Sequence, residues 1–422
     1  MIDSFQSLGK YSPTVSLWSH HDFRALWAGD TISQFGSTIG RTVVPLLAAG
    51  TLAATPWEMG VLSASSMAAF LLIGLPAGVW VDRLRRRPVM LTADFARAAL
   101  LLSIPLAWWA DVLTLAQLVL VALLVGVCTV FFDVAYQSYL PSLVGRDQLV
   151  EGNSKLEASR AVAEVSGPAA AGGLAQLVGA ANGVLVNGLG YLSSAYFLLR
   201  IRTAEPVPEP SGERKLSREI AEGLRFVFHN RSLSAIVGCT GTANFFGGIT
   251  SAVLVLFLVR DLGLSDGAVG LLFSAAGVGG VLGAVTANWW NTRLGQTRVI
   301  WLSLLVTQPI GLLIPLAAAD WRIVFIALGD VALAYGAVVY NIAQVSYRQA
   351  ICPDRLLGRM NASVRFVVWG AMPLGGIAGG LLGEWLGVRP ALWVAMVGGS
   401  VAAAWVVFSP LRTEREPVAA EH

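Results

Sequence analysis

Charged side chains are scarce in this sequence. Asp, Glu, Lys and Arg make up 13% of the 422 residues, whereas a soluble globular protein carries about 25%. Hydrophobic residues make up 55%, and the mean hydropathy is +0.66. This composition excludes a water-soluble globular protein and indicates a chain that lies mostly in lipid.

Cysteine and histidine are also rare. The three cysteines, Cys128, Cys239 and Cys352, form no disulfide framework and lack metal-ligand spacing, and the four histidines lie outside the apolar runs. We therefore expect no metal site, no histidine relay within the membrane and no cofactor. The sequence contains no nucleophile–base set, so an enzyme is not expected. Residues 1–22 are too polar for a signal peptide, so the first apolar run is expected to be a spanning helix.

Twelve apolar segments are long enough to cross a membrane, which takes about 20 residues each. They lie at about 24–50, 57–81, 88–110, 112–137, 157–179, 181–201, 231–259, 266–290, 297–318, 321–346, 361–386 and 388–410. Of the 29 lysines and arginines, 24 fall on one side of these segments and three on the other. Cationic loops stay in the cytoplasm. The sequence therefore predicts an all-α integral membrane protein of the inner (plasma) membrane with both termini cytoplasmic.

The predicted segments divide into two groups of six. Residues 1–201 are expected to form an N-terminal six-helix bundle, residues 231–411 a C-terminal one, and residues 412–422 a cytoplasmic tail. Residues 202–230 form a linker whose apolar residues recur every four positions and favour an amphipathic helix on the inner membrane surface, with a solvated tether as the alternative. Each half contains an Asp-x-Leu motif followed by Gly-Gly-Leu at the same spacing, which indicates pseudo-symmetric bundles.

An arginine-rich hairpin joins the second and third segments. Gly78, Asp82 and Arg83 end the second helix, and Arg86 with Arg87 precedes the next apolar run. An aspartate at a helix C-terminus needs a cationic partner or N–H donors, because it faces the negative end of the helix dipole. The motif resembles the loop between helices 2 and 3 of the major facilitator superfamily, with an arginine in place of the usual glycine. The resemblance implies alternating access by a rocker-switch motion, with this loop as the latch that closes the cytoplasmic side.

The fifth predicted helix contains Gly167, Pro168, Gly172 and Gly173. Because proline removes a backbone hydrogen bond and glycine has no side chain, we expect this helix to bend and pack closely on a neighbour. The pattern resembles the Gly-Pro-x-x-Gly-Gly signature of antiporters and exporters within the superfamily, except that three alanines follow Pro168. A kinked and closely packed helix without any role in transport direction would show the same pattern.

Charged residues inside spanning segments are costly and are usually functional or paired. Asp30, Gln34 and Arg41 fall near one face of the first helix, and a polar stripe of this kind should face a wet cavity. Gln34 and Arg41 are therefore candidate residues of the substrate cavity. Asp30 is a candidate for proton coupling.

Further charges fall in the third, fourth and fifth helices. Asp94 and Arg97, three positions apart, are expected to pair, and Asp133 and Arg160 are expected to belong to the same ion-pair network. Two hypotheses stay open for this cluster. It braces the cytoplasmic side, or one of its carboxylates exchanges a proton with the cavity, and Glu164 is then the second candidate.

The C-terminal half contains fewer charged residues. Asp330 lies near the middle of the membrane with no partner in its own helix, which makes it the third candidate for proton coupling. Asn244 and Asn341 are candidate cavity residues that could instead hydrogen-bond between helices.

Four short stretches point to one branch of the superfamily. They are Phe23-Arg24-Ala-Leu-Trp27-Ala-Gly, Gln34-Phe-Gly36, Asp94-x-x-Arg97-Ala and Asp147-x-Leu-x-x-Gly-Asn153. These look like the drug:proton antiporter branch that includes macrolide and siderophore exporters. The resemblance implies efflux of a hydrophobic or amphiphilic small molecule, driven by a proton gradient, from a monomer in the lipid bilayer with no nucleic-acid partner. A facilitator or importer of a small nutrient would share the fold and is the alternative.

Overall fold

The computed structural model describes residues 17–144, 148–203, 205 and 216–413, and every regular element within these ranges is helical. The N-terminal half contains α1 (His21–Leu46), α2 (Pro56–Asp82), α3 (Arg86–Trp109), α4 (Leu115–Val144), α5 (Leu149–Val178) and α6 (Ala180–Arg200). After α7 (Leu216–His229), the second half contains α8 (Arg231–Leu256), α9 (Asp266–Leu294), α10 (Gln296–Thr307), α11 (Val324–Ile351), α12 (Asp354–Leu386), α13 (Val388–Ala402) and α14 (Ala404–Val407). The predicted all-α fold is confirmed.

Nine helical segments of the described chain are long and apolar enough to span a membrane by themselves. The other three predicted spans correspond to α1, α5 and α6, which are helical but contain more polar residues. Some helices also extend beyond the predicted apolar segments, since α5 begins at Leu149 and α12 at Asp354. Polar first turns at these ends are invisible to a search for hydrophobic segments.

The two halves repeat the same local geometry. α1 and α8 each end in a single π-helical turn, at Leu47–Thr51 and Phe257–Asp261. Two residues later the backbone takes a positive φ, at Ala53 in one half and at Gly263 in the other. This repetition over two distant stretches is the structural expression of the pseudo-symmetry that the sequence predicted.

The packing of the two halves differs between the two ends of the molecule. We call the end where α6 meets the linker the linker end, and the opposite one the distal end. At the distal end, one hydrophobic cluster contains buried residues of both halves, such as Leu46 and Val269. At the linker end the described core divides into separate clusters, with Phe23 in that of the N-terminal half and Tyr347 in that of the C-terminal half. The halves are therefore joined mainly at the distal end.

The largest contacts between the halves are those of α2 with α12 and of α5 with α9, and α2 also touches α8. Glycines bring the backbones together, because a Cβ on Gly60 would lie 2.7 Å from Cα of Gly380. Farther from the distal end, the rings of Phe70 and Trp369 stack with their centroids 6.0 Å apart.

Candidate functional site

A polar cavity of about 380 Å³ lies in the N-terminal half, between α1, α4 and α5. We call it the Asp30 cavity. The side chain of Asp30 is buried, and Gln34, one helical turn farther along α1, lines the same cavity. Arg160 of α5 also lines the cavity and places a positive charge near the Asp30 carboxylate. A buried carboxylate at the wall of a polar cavity can exchange a proton with its contents.

Tyr136 and Glu157 are among the lining residues of this cavity that were not sequence candidates. Tyr136 of α4 has a buried hydroxyl with no hydrogen-bond partner among the described residues, and Glu157 of α5 forms an ion pair with Arg160 at 3.9 Å. Tyr136 lies three residues after Asp133, so the helical spacing could have indicated it. Glu157 is the first residue of the predicted fifth segment and was not named as a candidate, although α5 begins earlier, at Leu149, and places Glu157 well inside the helix.

Arg41 and Glu164 form an ion pair, with Nη2 of Arg41 2.6 Å from Oε1 of Glu164. Arg41 also donates to the Thr38 hydroxyl at 3.0 Å. The pair joins α1 to α5, and the backbone of Glu164 lies against Gly277 of α9. In this conformation the candidate cavity residue and the candidate proton-coupling residue are therefore bound to each other.

Arg97 is buried and paired with Asp94, as the spacing predicts, through a short contact between Nη2 and Oδ1. The Arg97 guanidinium lies between the rings of Phe132 and Tyr191, at 4.3 Å and 4.1 Å from their centroids. The Arg97 guanidinium is therefore surrounded by Asp94 and the two rings. The structure differs from the expectation for Asp133, which has no ion-pair partner within the described part of the chain because Arg97 is already bound to Asp94.

The four residues of the α5 motif face different surroundings. Gly167 lies against Thr38 of α1, whereas Gly172 lies against Gly270 of α9. Pro168 also contributes to the contact with α9, since its carbonyl oxygen approaches Gly270. Gly173 faces open space, with no atom within 4 Å of the position that a Cβ would occupy. α5 thus crosses a helix of its own half and a helix of the other half within a few residues.

Two arginines of the predicted latch bind to the end of α6 and to the start of the linker. Arg87 donates from Nε to the carbonyl of Leu198 at 3.0 Å and from Nη2 to that of Leu199 at 3.1 Å. Glu205 accepts from the backbone N–H of Arg86 at 2.6 Å and so satisfies the N-terminus of α3. The Arg83 side chain is exposed. The surroundings of Gly78 and of the Asp82 side chain lie outside what the structure describes.

Asp22 fixes the first residues after α6. Its Oδ2 accepts from the backbone N–H groups of Arg202 at 3.1 Å and Thr203 at 2.8 Å. Burial raises the pKa of Asp22, but hydrogen bonds from Thr203, His21 and Arg202 outweigh burial and hold the pKa well below its usual range. A carboxylate that stays ionised anchors the linker to the start of α1.

The candidates of the C-terminal half lie apart from the Asp30 cavity. Asp330 is on α11, and its Oδ2 is buried without a hydrogen-bond partner among the described residues. Asn244 donates from Nδ2 to the carbonyl of Val368 at 2.9 Å, so it joins α8 to α12. Asn341 accepts from Gln344 at 2.7 Å on its own helix. The structure therefore does not bring these three side chains together with Asp30.

A model of the family described as transmembrane secretion effector matches residues 12–421. The chain belongs to this family of major facilitator transporters. It is thus a multi-pass membrane transporter and not an enzyme, and its relatives are exporters of small molecules.

Among the relatives of this transporter is the multidrug efflux pump Tap of Mycolicibacterium fortuitum. It is 26% identical over 361 residues, which cover 80% of this chain and 86% of Tap. Macrolide efflux protein A of Streptococcus pyogenes is 24% identical over 402 residues, which cover 91% of this chain and 94% of that protein. The crystal structure of the nucleoside transporter NupG superposes with a TM-score of 0.76 at 14% identity and covers 92% of this chain and 98% of that chain. At that identity the NupG likeness confirms the fold only.

Proposed function

We propose that this transporter exports a hydrophobic or amphiphilic small molecule, such as a drug, an antibiotic or a siderophore-like metabolite, in exchange for protons. The observation that carries the proposal is the buried carboxylate of Asp30 at the wall of a cavity that also presents Gln34 and Arg160. One group can then bind a proton in one conformation and lose it in another, which couples the proton gradient to a conformational change.

Export as the direction is supported by the relatives. Tap and Macrolide efflux protein A both have efflux in their names, and the similarity to each covers most of this chain. The apolar and aromatic side chains between the halves, such as Phe70 and Trp369, suit a bulky amphiphile better than a sugar.

The linker end is proposed to be cytoplasmic, because 24 of the 29 lysines and arginines are assigned to that side. The protein would then lie in the inner membrane with both termini inside the cell, and it would act as a monomer. In this orientation, the described structure resembles an inward-facing state. The halves share one hydrophobic cluster at the distal end and have separate clusters at the linker end.

The transport cycle would proceed by rocking of the two halves. Opening the distal side requires the glycine contacts of α2 with α12 and of α5 with α9 to separate, while the linker ends close. Asp82 and the arginines that follow it would then latch the cytoplasmic side, as the hairpin motif suggests. Arg86 and Arg87 would support that latch indirectly, since they hold the hairpin against α6 and Glu205.

The three candidates for proton coupling rank differently in the structure. Asp30 lines a cavity, whereas Glu164 is bound to Arg41 and Asp330 lies apart in the other half. Asp30 is therefore the proposed coupling residue, with Asp330 as the second candidate.

Proton movement in inverted membrane vesicles, acidified inside, tests the proposal. Macrolides, tetracyclines, dyes and siderophores are added to vesicles that contain the native protein, Asp30→Asn, Asp330→Asn or Glu164→Gln. Asp320→Asn is the matched control, because this carboxylate is exposed at the distal end and pairs only with Arg322 among the described residues.

We expect one or more compounds to cause alkalinisation with the native protein and with Asp320→Asn, and none with Asp30→Asn. Alkalinisation that persists in Asp30→Asn but is lost in Asp330→Asn would identify Asp330, in the C-terminal half, as the coupling residue. A protein that moves substrate down its gradient into intact cells without any proton signal would instead be a facilitator.

A further inference from the structure

A second cavity, of about 400 Å³, lies between α1 and α6 at the linker end. Trp18, Trp27 and Tyr196 line it together with Arg24 and Arg200. We call it the aromatic–basic groove. Its lining residues come from the N-terminal half alone, on α1, on α6 and on the short turn that precedes α1. It is therefore separate from the contact between the halves and from the Asp30 cavity.

The two arginines give the groove a positive charge that the neighbouring residues leave uncompensated. Both side chains are exposed, and neither has an ion-pair partner in the described part of the chain. Arg200 donates to the Tyr196 hydroxyl, which orients its guanidinium without neutralising it. The acid closest in sequence, Asp22, is buried and is already bound by the N–H groups of Arg202 and Thr203. An anion can therefore bind here without displacing an internal carboxylate.

The aromatic wall of the groove is held in place. Trp27 donates from its indole N–H to the Ser159 hydroxyl at 2.9 Å. The rings of Trp18 and Trp27 meet edge to face, with centroids 4.8 Å apart. Lys155 adds a cation 4.5 Å above the Trp18 ring. Tryptophan and tyrosine beside cations are typical of the headgroup level of a bilayer.

An apolar strip continues from the groove along α6. Leu199, Tyr196 and Leu189 are exposed, and their spacing places them on one face of the helix below Arg200. From Arg200 to Leu189 the strip is about 16 Å long, at about 1.5 Å per residue. The groove therefore offers a site for a charged headgroup and, next to it, a surface for an acyl chain.

We propose that the aromatic–basic groove binds one anionic phospholipid of the membrane leaflet at the linker end. Arg24 and Arg200 would bind the phosphate of the lipid. Trp18 and Trp27 would contact its glycerol group, and the exposed face of α6 would contact an acyl chain. The strip on α6 is what favours a lipid over a free phosphate, because a free ion would use the arginines alone.

Native mass spectrometry of the full-length protein in detergent tests this site. The probes are phosphatidylglycerol, phosphatidylcholine with the same acyl chains, and glycerol 3-phosphate as a headgroup without chains. The double variant Arg24→Gln/Arg200→Gln is compared with Arg293→Gln, a matched control whose arginine lies 5.8 Å from the Trp289 ring, outside the groove. Arg24→Lys/Arg200→Lys keeps the charge and shows whether the site needs more than cations.

We expect the native protein and Arg293→Gln to prefer phosphatidylglycerol, and the double glutamine variant to bind it about tenfold more weakly. Binding of phosphatidylcholine should be the same in all variants, and the lysine variant should keep most of the preference. The thermal midpoint measured without lipid shows whether the double variant is folded. If that variant does not fold, the proposal is tested by lipid binding to the lysine variant and by competition between glycerol 3-phosphate and phosphatidylglycerol for the native protein.

Two results would overturn the proposal. Undiminished binding of phosphatidylglycerol to the folded double variant would mean that the groove is not the lipid site. Competition by glycerol 3-phosphate at the same concentration as by the lipid would make it a site for free anions, because the chains would then contribute nothing.

Discussion

Asp30 and Arg41 lie on the same helix in different surroundings. Asp30 is buried beside Gln34 at the wall of a cavity, whereas Arg41 is half exposed and reaches across to Glu164 on α5. Arg41 is held by a partner at 2.6 Å, whereas the Asp30 carboxylate faces a cavity with whose contents it can exchange a proton. Charged residues of one helix thus have different surroundings, depending on what the neighbouring helix presents.

We predict that Glu164→Gln and Arg41→Gln each destabilise the protein by up to about 1 kcal/mol, because each removes one partner of a partly exposed ion pair between α1 and α5. The charge-swapped variant Arg41→Glu/Glu164→Arg should recover most of this loss and most of the efflux. Thermal midpoints and efflux rates of the two single variants and the swap measure the effect. Asp320→Asn, in an ion pair of similar exposure outside the helix contacts, should change the midpoint little. An equal effect there would mean that the Arg41–Glu164 pair has no special role.

At the scale of the element, α5 makes two kinds of contact, one with a helix of its own half and one with a helix of the other half. Gly167 packs on α1 of the same half, and Gly172 packs on α9 of the other half. The first contact should persist while the halves rock, whereas the second belongs to the conformation in which the distal side is closed. Gly173 is adjacent to Gly172 but contacts neither helix.

We predict that Gly172→Ala shifts the population away from the distal-closed conformation, because its Cβ would collide with the carbonyl oxygen of Asp266 and with Gly270. Gly173→Ala is the matched control and should leave the population unchanged, since nothing lies within 4 Å of the added atom. Spin-label distances across the distal end, measured for both variants, report the shift. Identical distances in the two variants would show that the crossing of α5 and α9 does not limit distal opening.

At the scale of the whole molecule, the two halves are separate bodies that meet through few polar contacts at the distal end. Ser63 of α2 and Ser251 of α8 bring their hydroxyls to 3.2 Å, and Arg260 donates to the carbonyl of Ala49 at 2.9 Å. Single hydrogen bonds of this kind are weak enough to be broken in each cycle.

We predict that a cross-link between Ser63→Cys and Ser251→Cys, with the native cysteines replaced, stops transport by holding the distal side closed. Under reducing conditions the double variant should transport like its cysteine-free parent, and oxidation should lower transport to background until a reductant is added. Each single cysteine variant serves as a control and should be insensitive to the oxidant. Full transport by a protein that is shown to be cross-linked would rule out rocking of the halves at this contact.

Hydrophobicity and charge along the chain were enough to predict the all-α membrane fold and its division into two related halves, whereas the family was indicated by the resemblance of short motifs such as the arginine-rich hairpin. Each spanning helix satisfies its own backbone hydrogen bonds, so the presence and order of the helices follow from local composition. The Asp94–Arg97 pair could also be predicted from the sequence, because a spacing of three residues within one helix brings the two side chains together.

Contacts between helices depended on the tertiary structure. The spacing of residues could not show that Arg41 binds Glu164, that Arg87 turns toward α6 or that Asp133 lacks an ion pair in the described chain, since each outcome depends on which face of a distant helix comes near. The Asp30 cavity also arises only where three helices meet, and the aromatic–basic groove arises only where two helices meet. Sequence alone therefore determined what crosses the membrane, and packing decided which buried charges are paired and which remain available for a proton or a ligand.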